Sequence, residues 1–119
     1  MPLYGVLLPG GGPTALSPGD SIALFNAETP TAPAASMAIV PAFSYSQKNS
    51  VFTISFAAAA TAVVVIQGSN VDADAQYQTL YTSTNKQSDY YADYGGFGFY
   101  RAQLVSYVSG GALTVIAQR

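Results

Sequence analysis

Apolar and polar positions alternate most clearly between residues 51 and 56. There Val51, Thr53 and Ser55 fall on one side and Phe52, Ile54 and Phe56 on the other. A period of two with β-branched residues predicts a half-buried strand. Residues 57–61 read as a connection. Residues 62–67, AVVVIQ, form an almost continuous apolar run, the signature of a strand covered on both faces. Gly68-Ser69-Asn70 is a turn signal, residues 77–82 a further strand and residues 83–87 a polar loop. After glycines at 95, 96 and 98, residues 99–108 predict a long strand. Ser109-Gly110-Gly111 predicts a tight turn, and residues 112–118 close the chain with Leu113, Val115 and Ala117 on one face. Residues 105–115 therefore read as a β-hairpin.

Upstream, residues 21–25 and 37–40 are short apolar runs, the second stopped by Pro41, with a Pro/Thr/Ala-rich loop over 27–36 between them. Sustained i, i+3, i+4 apolar spacing is missing, and the Ala57–Ala62 run, flanked by β-branched residues, is too short to stand as a helix. Short strands separated by turn signals predict an all-β fold, an antiparallel β-sandwich or jelly roll over residues 21–119.

Residues 1–20 differ in kind. All 7 prolines of the chain lie at or before Pro41, and glycines 5, 10, 11, 12 and 19 join them. Such a segment disfavours central strands and helix interiors. It is nonetheless apolar, with Leu3, Tyr4, Val6, Leu7 and Leu8. The expectation is an extended arm that orders against its own body or against a neighbour.

Charge changes the picture most. Only 8% of the 119 residues are charged, against roughly 25% in ordinary soluble domains. Interface cores are depleted in charge, so the expectation is a surface largely covered by partners. The net charge of −2 argues against nucleic-acid binding, which needs clustered Lys and Arg. The chain has no Cys, His or Trp, which removes disulfides, Cys/His zinc sites and imidazole or thiolate catalysis. Residues 49–71 carry no charge until Asp72, but Thr53, Ser55 and Thr61 and the strand-like alternation argue against a membrane helix.

The remaining candidates for chemistry are weak. Asn70-Val71-Asp72-Ala73-Asp74 has the acid spacing of a calcium loop, but Ala75 stands where Gly is needed and Tyr81 where Glu is needed. A solvated turn is the expectation. Asp89 and Asp93 have nothing nearby in sequence to shift their titration, and Lys48 and Lys86 sit among polar residues. Gly95-Gly96-Phe97-Gly98 lacks the Lys of a phosphate loop. No enzyme activity, cofactor or metal is expected.

The aromatic cluster is more informative. Tyr90, Tyr91, Tyr94, Phe97, Phe99 and Tyr100 follow one another closely, with Tyr107 beyond. Phe99 or Tyr100 and Leu104 are core candidates. A glycine-punctuated loop is not expected to bury the rest, and tyrosine suits contact surfaces. Tyr90, Tyr91, Tyr94 and Phe97, with the apolar residues of the arm, are the candidate interface.

Two stretches carry a resemblance. One is Val63-Val64-Val65-Ile66-Gln67-Gly68-Ser69-Asn70 followed by Tyr77-Gln78-Thr79-Leu80. The other runs from Phe99-Tyr100-Arg101-Ala102 through Tyr107 to a Gly-Gly turn and Leu113-Thr114-Val115-Ile116. Across residues 51–118 this cadence resembles small phage virion proteins with a β-sandwich or jelly-roll body, of the head decoration (cement) kind. The resemblance implies a shell-stabilising structural protein, made in the host cytoplasm and carried on the capsid surface. Its partners would be the major capsid protein or other virion subunits and further copies of itself as a homo-oligomer, with no nucleic acid and no membrane. The cadence is also similar to the galactose-binding jelly roll of carbohydrate-binding and discoidin-type modules, which implies a glycan- or receptor-binding module of a phage tail or fibre. Those modules present Trp or charged residues to sugar, and this chain has no Trp.

Overall fold

A computed structural model describes residues 14–16, 21–29, 31–36, 38–41, 50–94 and 97–118. The strands are β1 (Thr14–Leu16), β2 (Ser21–Glu28), β3 (Ala34–Ala35), β4 (Ile39–Pro41), β5 (Ser50–Phe56), β6 (Thr61–Ser69), β7 (Gln78–Thr84), β8 (Ser88–Asp93), β9 (Phe99–Ser109) and β10 (Leu113–Gln118). A 3-10 turn, Asp74–Gln76, precedes β7. No helix among the described residues is long and apolar enough to cross a membrane.

Two sheets face each other. One runs β2-β10-β5-β8; the other runs β1-β4-β9-β6-β7, with β3 also on β9. Every pairing is antiparallel except β1 with β4. Setting aside β1 and β3, the remaining eight strands interleave as β2-β10-β5-β8 over β4-β9-β6-β7. That is a jelly-roll order, in which sequential strands lie in opposite sheets except for β6 and β7, which pair with each other. The fold is thus an all-β sandwich. Only Thr14–Leu16 of the 1–20 arm is described, and it pairs with β4 of its own chain.

Sequence alternation sets the core. Phe52, Ile54 and Phe56 of β5, Leu113, Val115 and Ala117 of β10, and Leu24 and Phe25 of β2 meet Ile39, Val64, Ile66, Tyr100, Ala102 and Leu104 from the other sheet. Tyr100 and Leu104 are buried as expected, and Tyr100 lies 5.6 Å from the Phe52 ring. β6 sits between β9 and β7, and both its faces are covered: Val65 and Gln67, which alternate with the core residues Val64 and Ile66, are also buried.

Two expectations fail. Residues 105–115 are not a hairpin. β9 pairs with β6, β4 and β3, whereas β10 pairs with β2 and β5 in the opposite sheet. The glycines let the chain arch across the sandwich instead: Gly110 has φ 140° and Gly111 φ 75°. A Cβ on Gly110 would stand 2.8 Å from the Ala60 Cβ. The arch is sewn to the 57–60 connection, which crosses the same way, by Ala57 N–H to Ala112 C=O (3.0 Å) and Ala58 N–H to Gly110 C=O (2.8 Å). Turn chemistry reports a reversal of direction and is silent on which sheet the chain re-enters.

The second failure concerns residues 88–93, read as part of a Tyr/Gly loop. They form β8, an edge strand on β5. Asp is depleted in strands, so propensity hides it, yet charged residues are frequent on edges because they discourage unwanted pairing.

Candidate interaction surface

The period of two along β8 turns Asp89, Tyr91 and Asp93 inward and Ser88, Tyr90 and Ala92 outward. Inside, Tyr91 stacks on Tyr81 of β7, centroids 5.0 Å apart and planes within 9°. This closes the seam where the two sheets' edge strands meet. The Tyr81 hydroxyl donates to Asp89 Oδ2 at 2.5 Å, and Asp89 Oδ1 accepts the Tyr90 N–H at 2.8 Å. Lys86 Nζ lies 3.8 Å from the same carboxylate. Burial alone would raise the Asp89 titration. Hydrogen bonds from Tyr81, Ser83 and the Tyr90 N–H, with the Lys86 charge, outweigh it and hold Asp89 below the usual carboxylate range. Tyr81 is raised, chiefly by that hydrogen bond.

Asp93 is buried and receives two hydroxyls: Tyr91 on Oδ1 at 2.6 Å and Tyr100 on Oδ2 at 2.5 Å. Burial, followed by the bond to Asp93, pushes Tyr91 up to about 12. Tyr100 in turn accepts the Phe97 N–H at 3.0 Å and meets the Phe97 ring edge-on at 6.0 Å. Phe97 lies over Gly68, where a Cβ would come within 2.8 Å of Phe97 Cδ2. The two carboxylates that looked isolated in sequence are thus surrounded by tyrosines from β7 and β9.

The four candidate aromatics separate accordingly. Tyr90 and Tyr94 are 70% and 69% exposed. Tyr91 and Phe97 are half-buried and pack on their own domain; they hold the frame and do not form its outer surface. Leu3, Tyr4, Val6, Leu7 and Leu8 lie outside the described residues.

Tyr90 ends a row the sequence did not single out. Register places Ala23, Ile116, Thr53 and Tyr90 side by side across all four strands. Ser21, Gln118, Val51 and Ala92 form a second row, and Thr114, Ser55 and Ser88 a third. None of these side chains is charged. The signal was present in the alternation, since Phe52/Ile54/Phe56 and Leu113/Val115/Ala117 facing inward send their neighbours outward. What was missing was the strand order that joins them.

The acid-rich 70–77 segment has a different use. Arg101, 9% exposed, donates from Nε to Gln67 Oε1 at 2.8 Å and from Nη1 to Asp74 Oδ1 at 2.6 Å, and lies 4.0 Å over the Tyr77 ring. Asp72 accepts the Tyr77 hydroxyl at 2.7 Å. Burial first, then this bond, raises Tyr77. The acids therefore tie down a loop. Among the described residues, no group of three or more His, Cys, Asp or Glu is arranged to hold a metal ion.

No family model matches the chain, and no curated protein matches it. Among solved structures, it is similar to the SPBc2 prophage-derived protein YomS. The likeness has a TM-score of 0.52 and 16% identity, and covers 82% of this chain and 90% of that one. At that identity the likeness shows the shared β-rich fold.

Proposed function

We propose that this chain is a non-enzymatic structural protein of a bacteriophage particle, a capsid decoration (cement) protein that clamps neighbouring shell subunits. The observation that carries this reading is the three uncharged rows across the outer face of the β2-β10-β5-β8 sheet among the described residues, one of them ending in the exposed Tyr90. Interface cores lack charge and are rich in tyrosine. The seam of Tyr81, Tyr91, Asp89 and Asp93 holds β8 rigid, so Tyr90 meets a partner at little entropic cost. Fold likeness to a prophage-derived protein supports the particle setting. The major capsid protein, other virion subunits and further copies of this chain are its partners on the capsid surface; nucleic acid and membrane are not. Tyr94 and the apolar residues of the arm extend the contact.

The test is incorporation into shells assembled in the presence of the protein. The unmodified chain co-sediments with shells and raises their dissociation temperature. The variant combining Thr53→Glu and Tyr90→Glu loses about tenfold or more in occupancy, with unchanged melting of the isolated domain. Absence of the unmodified chain from washed shells, or full occupancy by the variant, overturns the reading.

A further inference from the structure

β8 is the outermost strand of its sheet, and the ladder to β5 shows which of its backbone groups are free. Phe56 N–H donates to Gln87 C=O at 2.8 Å. In an antiparallel ladder every second pair is the doubly bonded one. Counting from Phe56 and Gln87, the bonded pairs are Ile54 with Asp89, Phe52 with Tyr91 and Ser50 with Asp93. Ser88, Tyr90 and Ala92 therefore aim their N–H and C=O groups away from β5, along the open edge. A second β8 related by a twofold axis would fit that edge. Pairing centred on Tyr90 sets Tyr90 opposite Tyr90 and Ser88 opposite Ala92, all uncharged. It sets Asp89 opposite Tyr91, so like charges do not meet directly. The joined outer faces would be equally free of charge. No like-charge contact across the strands opposes self-pairing, which makes this edge a hazard for a chain with so few charges.

One donor on that edge is already taken. The central N–H, that of Tyr90, donates to Asp89 Oδ1 at 2.8 Å. The same carboxylate is anchored through Oδ2 by Tyr81 from the facing sheet. We propose that Asp89 caps the β8 edge and thereby keeps it from pairing with the β8 edge of a second copy of this chain. The cap occupies the donor at the middle of three outward positions, so an incoming strand finds that N–H already bonded. This goes beyond the proposed function, because it concerns a surface the protein keeps closed.

The test compares self-association by sedimentation velocity over a concentration series. Asp89→Ala associates at least about tenfold more tightly than the unmodified chain. Adding Tyr90→Pro to it restores the unmodified behaviour, because that N–H lies outside the β5 ladder and proline forbids only the new pairing. Tyr81→Phe, which keeps the cap and loses only the anchor hydroxyl, sediments like the unmodified chain. In the unmodified protein, hydrogen exchange reads the cap directly: the Tyr90 amide exchanges at least about tenfold more slowly than those of Ser88 and Ala92. The proposal fails if Asp89→Ala keeps the unmodified mass distribution or if Tyr90→Pro leaves the new association intact. It also fails if Tyr81→Phe associates as Asp89→Ala does, or if the three amides exchange alike.

Discussion

The two ends of the sandwich are closed by different means. At one end the 57–60 and 110–112 arches are stitched by backbone hydrogen bonds, and Gly110 sits where a Cβ would strike Ala60. Asn85 adds to it, its N–H on Ala62 C=O and its Oδ1 accepting the Ala62 N–H. At the other end, side chains do the closing: Asp93 gathers Tyr91 and Tyr100, Phe97 lies over Gly68, and Arg101 ties down the 70–77 segment. The backbone-closed end depends on conformation and space. The side-chain-closed end depends on polar groups buried in pairs, and it is the end that carries Tyr94 beside the charge-free face. A rigid frame of paired tyrosines is what allows other tyrosines to stay exposed.

The largest effect is expected at the glycine end. Gly110→Val adds side-chain bulk at φ 140° and within 2.8 Å of a neighbour. Strain plus overpacking amounts to about 3 kcal/mol. The expected result is a melting temperature lower by roughly 10 °C in calorimetry. A variant that melts as the original does would show that the two arches are not in contact.

The next effect is at the other end. Asp93→Ala leaves the buried Tyr100 hydroxyl and the half-buried Tyr91 hydroxyl without their acceptor, at a cost of about 2 kcal/mol. Tyr100→Phe removes one hydroxyl and costs about 1 kcal/mol. If both variants unfold at the same denaturant midpoint, Asp93 does not bridge the two tyrosines.

The smallest effect is on titration. Tyr81 and Tyr91 are raised in the folded state, so their contribution is complete below the ordinary tyrosine value of about 10. It is lost as pH rises through the folded value, about 12 for Tyr91. Asp89 is lowered, so its contribution is present above the ordinary carboxylate range, near 4, and is lost as pH falls through its folded value. With no His or Cys to titrate between, stability is expected to be level from about pH 5 to 9 and to fall on the alkaline side. Tyr91→Phe shrinks the alkaline fall; an unchanged alkaline limb would mean Tyr91 titrates as a free phenol.

Much of the fold could be read from alternation. Phe52, Ile54 and Phe56 point inward because a strand has no other choice once one face is apolar, and the same holds for Leu113, Val115 and Ala117. β8 was hidden because Asp89, Tyr90, Tyr91 and Asp93 have the composition of a loop. They become a strand only because β5 offers an edge. Of the described candidate aromatics, Tyr90 and Tyr94 are exposed. Tyr91 and Phe97 were drawn inward by Tyr81, Asp93 and Gly68, partners too distant in sequence to be seen.

Period and composition are local properties, so the strand-built body, the inward sides of β5 and β10 and the shortage of charge are all legible in the residues alone. Only the tertiary structure decided that Gly110 and Gly111 lead across the sandwich, that Ala23, Ile116, Thr53 and Tyr90 share a row, and that Asp89 stands over an open edge. Each of those follows from which strands become neighbours, and strand order is fixed by the burial of the whole core.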